Sequence, residues 1–187
     1  RATMEDSCAI VQHLNISAIS QTAARNLLYP QSYFAVYDGH GGAEASSYLS
    51  RTLHVALANA IEEIAPALSK LRFEEEGCAD DAALHGARES TDRLVIETIK
   101  SAFTSTDDAF LKSSEFAQHG STATTALLLG DRLYCSNTGD SRTMLCRNFN
   151  AVPLTTDHTT PREDEAARIR AAGGFVISNR GMGELAV

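Results

Sequence analysis

The sequence has few basic residues and no long apolar run, and each shortage excludes a class of protein. Its 16 lysines and arginines are outnumbered by 24 aspartates and glutamates, which gives a net charge of −8 over 187 residues. Broad nucleic-acid binding needs a basic surface that neutralises phosphates, so this function is disfavoured. No apolar run approaches the roughly 18 residues that a membrane span requires, which predicts a soluble chain with no membrane partner. The apolar share of 43% is still enough to build a core.

Cysteines are also scarce. Cys8, Cys78, Cys135 and Cys146 contain no C-x-x-C pair and are too few for a disulfide-stapled scaffold. A reducing intracellular setting, cytoplasmic or nuclear, is therefore expected. The sequence starts at Arg1, with neither an initiator methionine nor a leader that is cationic and then apolar. It stops within an apolar, strand-like run, so we expect a chain that is cut at both ends.

Short runs rich in β-branched and aromatic residues, bounded by polar or turn residues, predict strands in two parts of the chain. Two strands lie near the N-terminus and are separated by a connecting loop over 13–31. The others follow residue 120, and Gly130-Asp131 is predicted to join two of them as a tight hairpin. The predicted strands are 7–12, 32–37, 122–129, 132–136, 142–147, 152–155, 175–178 and 185–187.

Two long helices are predicted between these groups of strands. From about Ala43, apolar residues recur at three- and four-residue steps, and Pro66 is expected to end this first helix. The stretch 73–90 is acidic, interrupted by glycine and without a sustained period, which predicts a solvated, variable loop. Helical spacing of apolar residues returns over about 95–110, where the second helix is expected.

A third helix is predicted near the C-terminus. Thr160, Pro161 and Glu163 have the spacing of a capping box with proline at the first helical position. The helix is expected to run to about Ala172, where the glycines that follow stop it. Strands, then two helices, then many strands indicate an α+β fold with a largely antiparallel sheet arrangement.

Acidic residues stand at the predicted strand ends, where a rigid scaffold can hold them. Glu5 and Asp6 precede the first strand, Asp38 ends the second, and Asp140 lies in a turn between two later strands. Such acids suit Mg²⁺ or Mn²⁺, which take hard oxygen ligands. Neighbouring residues on a strand point to opposite faces, so only one of Glu5 and Asp6 is expected to bind the ion directly. Each site taken alone is equally compatible with a plain turn, and the combination carries the metal hypothesis.

Five segments together are more specific than any one of them. In order they are 1–6 (RATMED), 34–42 (FAVYDGHGG), 120–123 (GSTA), 137–142 (NTGDSR), and 157–158 (DH) followed by Glu165, Arg168, Ile169 and 172–174 (AGG). Their order and rough spacing resemble the metal-dependent serine/threonine protein phosphatases of the protein phosphatase 2C type. The resemblance covers essentially residues 1–187 and implies one catalytic domain. It also implies an antiparallel β-sandwich flanked by pairs of helices, four layers in all, incomplete at its C-terminal end.

The resemblance assigns a metal-binding role to five of these residues. It implies that Glu5, Asp38 and the carbonyl of Gly39 hold one ion, and that Asp38 bridges to a second. Asp6 supports them, and Asp140 corresponds to the aspartate of a third, looser ion. The implied cofactors are Mg²⁺ or Mn²⁺, and the implied reaction is hydrolysis of phosphoserine and phosphothreonine in proteins by an activated water.

Two further residues match catalytic positions of the family. Arg1 matches the arginine that grips the substrate phosphate, a task suited to a planar, permanently charged group. His40 matches the histidine that protonates the leaving hydroxyl, which suits an imidazole that titrates near neutral pH. Each residue also has a non-catalytic interpretation. Arg1 is then a solvated terminal charge, and His40 makes a structural hydrogen bond in the turn.

The sequence lacks two downstream aspartate motifs of the family, Asp-Gly-x-x-Asp and Gly-x-x-Asp-Asn. In the family these aspartates complete the shell of the second metal, so this chain alone is expected to be inactive or weakly active and to self-associate through unpaired sheet edges. Two hypotheses remain open at this point. The first is the N-terminal part of an active phosphatase that acts on phosphoproteins. The alternative is a non-catalytic pseudophosphatase that serves as a protein-binding module.

Overall fold

The structure, a computed structural model, describes residues 4–21, 26–113, 118–179 and 183–186. Its strands are β1 (Ser7–Val11), β2 (Gln31–Tyr37), β3 (Gly39–His40), β4 (Gly120–Ser121), β5 (Ala123–Leu129), β6 (Arg132–Thr138), β7 (Met144–Arg147), β8 (Asn150–Pro153), β9 (Val176–Asn179) and β10 (Gly183–Ala186). Its helices are α1 (Ser17–Ser20), α2 (Glu44–Glu76), α3 (Asp81–Ser113) and α4 (Glu163–Ala171). The α+β prediction is therefore confirmed.

Four of the strands form an antiparallel sheet in the order β1-β2-β5-β6. Successive residues of a strand point to opposite faces, and every second position of β2 and β5 is buried. Apart from Gln31, these positions carry apolar or hydroxyl side chains. These side chains pack with α2 and α3 in one core. Its members from the sheet and the two helices include Ala9, Tyr33, Ala35, Tyr37, Leu53, Leu57, Ile61, Val95, Ile99 and Leu127.

The opposite face of the sheet carries apolar residues that are exposed, among them Ile10, Phe34 and Val36. The hairpin of β7 and β8 begins over this face, because the hydroxyls of Thr124 and Thr143 lie 2.7 Å apart. The helix pair and the sheet are two of the four predicted layers. The start of this hairpin lies where the third layer is expected.

The prediction that Pro66 ends the first long helix is wrong, since α2 continues through it to Glu76. Proline inside a helix removes one hydrogen bond and costs roughly 3 kcal/mol. The buried positions nevertheless continue past it at helical spacing, with Leu68, Arg72 and Glu75 among them. Packing on both sides of Pro66 therefore keeps the two halves in one helix.

The prediction of a solvated loop over 73–90 is also wrong. The stretch belongs mostly to α2 and α3, and only 77–80 separates the two helices. The apolar pattern is weak here because polar side chains fill the buried positions. Around the buried carboxylate of Glu75 the structure places the hydrogen-bonded and ion-paired groups Arg72, Thr91, Asp92, Asp131, Arg132 and Tyr134, which we call the distal ion network.

The distal ion network holds the β5–β6 hairpin to the helices. Burial opposes the charge on Arg132, but the contacts with Tyr134, Asp92 and Glu75 outweigh it and raise the pKa of this arginine. Arg72 reaches the turn between the strands through Asp131 at 2.7 Å. These contacts link residues up to 59 positions apart in sequence.

The prediction that a capping box at Thr160 starts the last predicted helix is wrong. Helix α4 begins at Glu163, and the residue before it, Arg162, makes no side-chain cap. Three acidic residues in the first turn still favour the helix start through the helix dipole. The predicted stop is confirmed, since Gly173 follows the helix with a φ of 84°.

The predicted strands correspond to β1, β2 and β5 to β10, with ends that differ by a few residues. The loop over 13–31 contains the short helix α1, and residues 22–25 lie outside the described part. Within the described ranges, no helix combines the length and the apolar character needed to cross a lipid bilayer.

Candidate active site

The predicted acids gather at one edge of the four-stranded sheet. When the β1–β2 register is continued by one residue, Asp6 stands opposite Asp38. The β2–β5 register, continued by two residues, places Thr122 beside Asp38. The β5–β6 register then places Gly139 next in the row, directly before Asp140. Four strand ends that are far apart in sequence therefore form one line.

Thr122 fixes the backbone of Asp38. The Thr122 amide donates to the Asp38 carbonyl at 2.9 Å, and the Asp38 amide donates to the Thr122 hydroxyl at 3.1 Å. The same hydroxyl lies 2.7 Å from the hydroxyl of Ser141. One side chain thus links the turn that carries Asp38 to the turn that carries Asp140. Sequence reasoning assigned no role to Thr122, although it lies within the GSTA segment.

The main chain of Glu5 is held against the turn that follows β2. A Cβ atom at Gly39 would lie 2.2 Å from the Glu5 carbonyl oxygen, so only glycine permits this close approach. The buried hydroxyl of Ser46, on the first turns of α2, donates to the same carbonyl and lies 3.0 Å from the carbonyl of Ala43. Glu5 and Asp38 are both half-buried. Ser46 is a further residue that the sequence did not single out.

His40 lies beside these acids on the two-residue strand β3. It pairs with Gly120 of β4, and its ring lies so close that a Cβ at Gly120 would be 2.2 Å from His40 Nε2. The residue itself is exposed. The structure therefore places an accessible imidazole next to the Asp38-Gly39 turn, on a backbone that is fixed on both sides.

The Asp157-His158 segment supports the turn around Asp140. Arg142 donates to both carboxylate oxygens of Asp157, at 2.7 and 2.6 Å. These hydrogen bonds lower the pKa of Asp157 below its usual range and raise that of Arg142. The amide of His158 donates to the carbonyl of Gly139 at 2.8 Å. The segment therefore orders the turn through hydrogen bonds.

Oxygen donors of this kind suit a hard divalent cation. The carboxylates come from adjacent strand ends, and Mg²⁺ usually takes one or two carboxylates while it keeps several waters. Among the residues that the structure describes, no three histidines, cysteines or acids come together as a metal-binding group. The described residues fit a cation as part of its ligand set. Arg1 lies outside the described residues.

Comparison with known proteins identifies the family. The family model of protein phosphatase 2C matches residues 1–187. The chain belongs to the protein phosphatase 2C family. The "Probable protein phosphatase 2C 75" of Arabidopsis thaliana is 37% identical over 180 residues, which is 93% of this chain and 40% of that protein. The "Protein phosphatase 2C homolog 3" of Schizosaccharomyces pombe is 34% identical over the whole of this chain and 37% of its own length.

The chain therefore spans about two fifths of the length of these protein phosphatase 2C relatives. A solved structure, of the serine-threonine phosphatase 2C from Toxoplasma gondii, matches with a TM-score of 0.60 at 19% identity. The match covers 95% of this chain and 57% of that chain. It shows that the fold is shared.

Proposed function

We propose that the protein hydrolyses phosphoserine and phosphothreonine in proteins, with Mg²⁺ or Mn²⁺ as its cofactor. The observation that carries the proposal is the row of strand ends described above. It brings three segments typical of the family, around Glu5, Asp38 and Asp140, to one edge of one sheet. Membership of the protein phosphatase 2C family supports the same activity.

Glu5, Asp38 and the carbonyl of Gly39 would hold one ion, and Asp38 would also contribute to a second. Asp6 would support this set, and Asp140 would serve a third ion. When bound, paired ions of this kind lower the pKa of a water and stabilise the charge that develops during in-line attack on phosphorus. The residues of the chain have to hold these carboxylates in place, and Thr122 and Ser46 do so by fixing the backbone at Asp38 and Glu5.

His40 is proposed as the general acid. It is accessible, lies next to the proposed ligands and has its ring placed by the close contact with Gly120. Its proton would pass to the serine or threonine oxygen as the bond from that oxygen to phosphorus breaks. Arg1 is proposed to bind the phosphate, because its planar fork can donate to two phosphate oxygens at once.

The proposal is tested by hydrolysis of a phosphothreonine peptide with and without Mn²⁺. We expect activity in the full-length protein that a chelator abolishes and that thiol alkylation leaves unchanged. Asp38→Asn is expected to lower kcat/KM by at least about 100-fold, because even indirect support of a metal ligand is worth 10- to 100-fold. Asp108→Asn, at an exposed position of α3, is the matched control and is expected to behave as wild type.

Two results would contradict the proposal. One is hydrolysis that persists in the chelator. The other is a folded full-length protein that hydrolyses no phosphopeptide at any Mn²⁺ concentration, which would favour a binding module.

A further inference from the structure

The turn after His40 is held by contacts that the proposed mechanism does not use. Gly41 and Gly42 have φ values of 75° and 146°, and they connect His40 to the first turn of α2. A Cβ at Gly42 would lie 2.4 Å from Cε1 of His119. A Cβ at Gly41 would lie 2.9 Å from the carbonyl oxygen of Gln118. The two residues before β4 therefore pack directly on this turn.

A close polar contact between two side chains accompanies this packing. The Nδ1 atom of His119 lies 2.5 Å from Oε2 of Glu44, the first residue of α2. The side chain of His119 is 20% exposed and that of Glu44 is 44% exposed, so the pair is partly shielded from water. A carboxylate in the first turn of a helix is also favoured by the helix dipole, which suits Glu44 to this position.

The contacts between the two segments form a continuous series. Gly39 pairs with Ser121 and His40 with Gly120 in the β3–β4 ladder. One step further, the ring of His119 covers Gly42 and its Nδ1 atom reaches Glu44. His40 is thus the last residue of β3 in this ladder, and the contacts of His119 with Gly42 and Glu44 follow directly after it.

We infer that His119 and Glu44 are positioning residues that fix the Gly41-Gly42 turn and, through it, the imidazole of His40. The inference rests on the proposed role of His40 as general acid. Without the pair, the two glycines are free to take other backbone conformations, since glycine has few steric limits. His40 would then spend less time in the orientation that delivers its proton to the leaving oxygen.

The experiment compares two substrates that differ in their need for an acid. The threonine oxygen of a phosphothreonine peptide would leave as an unstable alkoxide, so it needs a proton from a general acid. The phenolate that leaves an aryl phosphate is stable and needs little help from an acid. In the full-length protein with Mn²⁺, His119→Ala is expected to lower kcat for the peptide on the order of tenfold, a fraction of what a general acid contributes. KM for both substrates and kcat for the aryl phosphate are expected to change little.

Three further variants define the pair. His119→Asn keeps a nitrogen donor near the position of Nδ1 and is expected to recover part of the loss. His119→Ala combined with Glu44→Ala is expected to cost no more than His119→Ala alone, because the two residues act as one unit. His85→Ala, at an exposed position of α3, is the matched control and is expected to behave as wild type.

A measurement that needs no activity separates this inference from the proposed function. The imidazole NMR signals of His40 are expected to shift and broaden in His119→Ala and to stay unchanged in His85→Ala. If wild type hydrolyses neither substrate, the proposed function fails and the NMR comparison alone decides the inference. Unchanged His40 signals in His119→Ala, or an equal fall in kcat for both substrates, would overturn it.

Discussion

Removing the carboxylate of Glu75 should destabilise the protein more than any surface change on the same helix. This side chain is 4% exposed, and it accepts from Arg72 at 2.8 Å and also from Arg132 and Thr91. Glu75→Ala leaves two guanidinium groups, 7% and 13% exposed, without their shared partner. Breaking a buried ion pair in this way typically costs about 3 to 5 kcal/mol.

The lower end of that range applies here. Arg72 keeps a contact with Asp131, and Arg132 keeps one with Asp92, and both of these carboxylates are partly exposed. We therefore expect Glu75→Ala to reduce the free energy of unfolding by about 3 kcal/mol. For a domain of this size that loss lowers Tm by roughly 6 to 12 °C.

The adjacent Glu74 provides the control. Its carboxylate lies 3.8 Å from Lys70, and both side chains are at least half exposed. Exposed pairs of this kind contribute about 0 to 1 kcal/mol, so Glu74→Ala should have little effect. Urea unfolding of both variants, followed by circular dichroism, gives the two free energies from the midpoints at equal slope. A Glu75→Ala midpoint that coincides with that of Glu74→Ala would refute the reasoning.

Four other changes, three substitutions and a rise in pH, have expected effects on stability that differ in sign. Gly86→Ala on α3 should raise the free energy of unfolding by about 1 kcal/mol, because a Cβ there meets nothing and alanine favours the helix. Gly39→Ala should lower the free energy of unfolding, because a Cβ there would meet a carbonyl oxygen at 2.2 Å. Urea midpoints in the opposite order would contradict both expectations. Phe149 is 101% exposed at the tip of the β7–β8 hairpin and has a φ of 63°, a conformation that glycine adopts more easily. Phe149→Gly should therefore raise the free energy of unfolding by about 1 kcal/mol. A lower Tm of this variant in calorimetry would argue against the prediction. Burial raises the pKa of Tyr37 to about 12 and raises that of Tyr33 as well. Unfolded tyrosines lose their protons at about pH 10, so the stability that these two residues provide is complete below that pH and is lost as pH rises toward 12. Urea unfolding at several pH values measures this loss. If the Tyr33→Phe, Tyr37→Phe double variant loses stability just as steeply with pH, the two tyrosines are not its cause.

The strands of the sheet were predictable because the residue types along each strand reflect which positions are buried. Strands β2 and β5 alternate between buried and less buried positions, and their ends carry turn residues. The Asp38-Gly39 turn was predictable for the same reason. The helical hairpin was predicted only in part, since Arg72 and Glu75 are buried but polar, and a pattern based on apolar residues does not detect such positions.

The supports of the site were not predictable from local sequence. Thr122 lies 84 positions from Asp38, and Ser46 lies 41 positions from Glu5, yet each makes its hydrogen bond across the gap. A threonine or serine in a short motif fits many turns equally well. Its partner is decided by strand register, and register becomes visible only when the sheet has formed.

Helix α2 connects the candidate active site to the distal ion network. From Glu44 to Glu75 it extends over about 47 Å at 1.5 Å per residue. Near its start, Ser46 contacts the main chain of Glu5 beside the Asp38-Gly39 turn, and near its end, Glu75 lies at the centre of the distal ion network. The short connection 77–80, beyond the far end of this helix, is therefore a suitable position for fluorescent labels, surface tethers or inserted peptides that must stay away from the reaction.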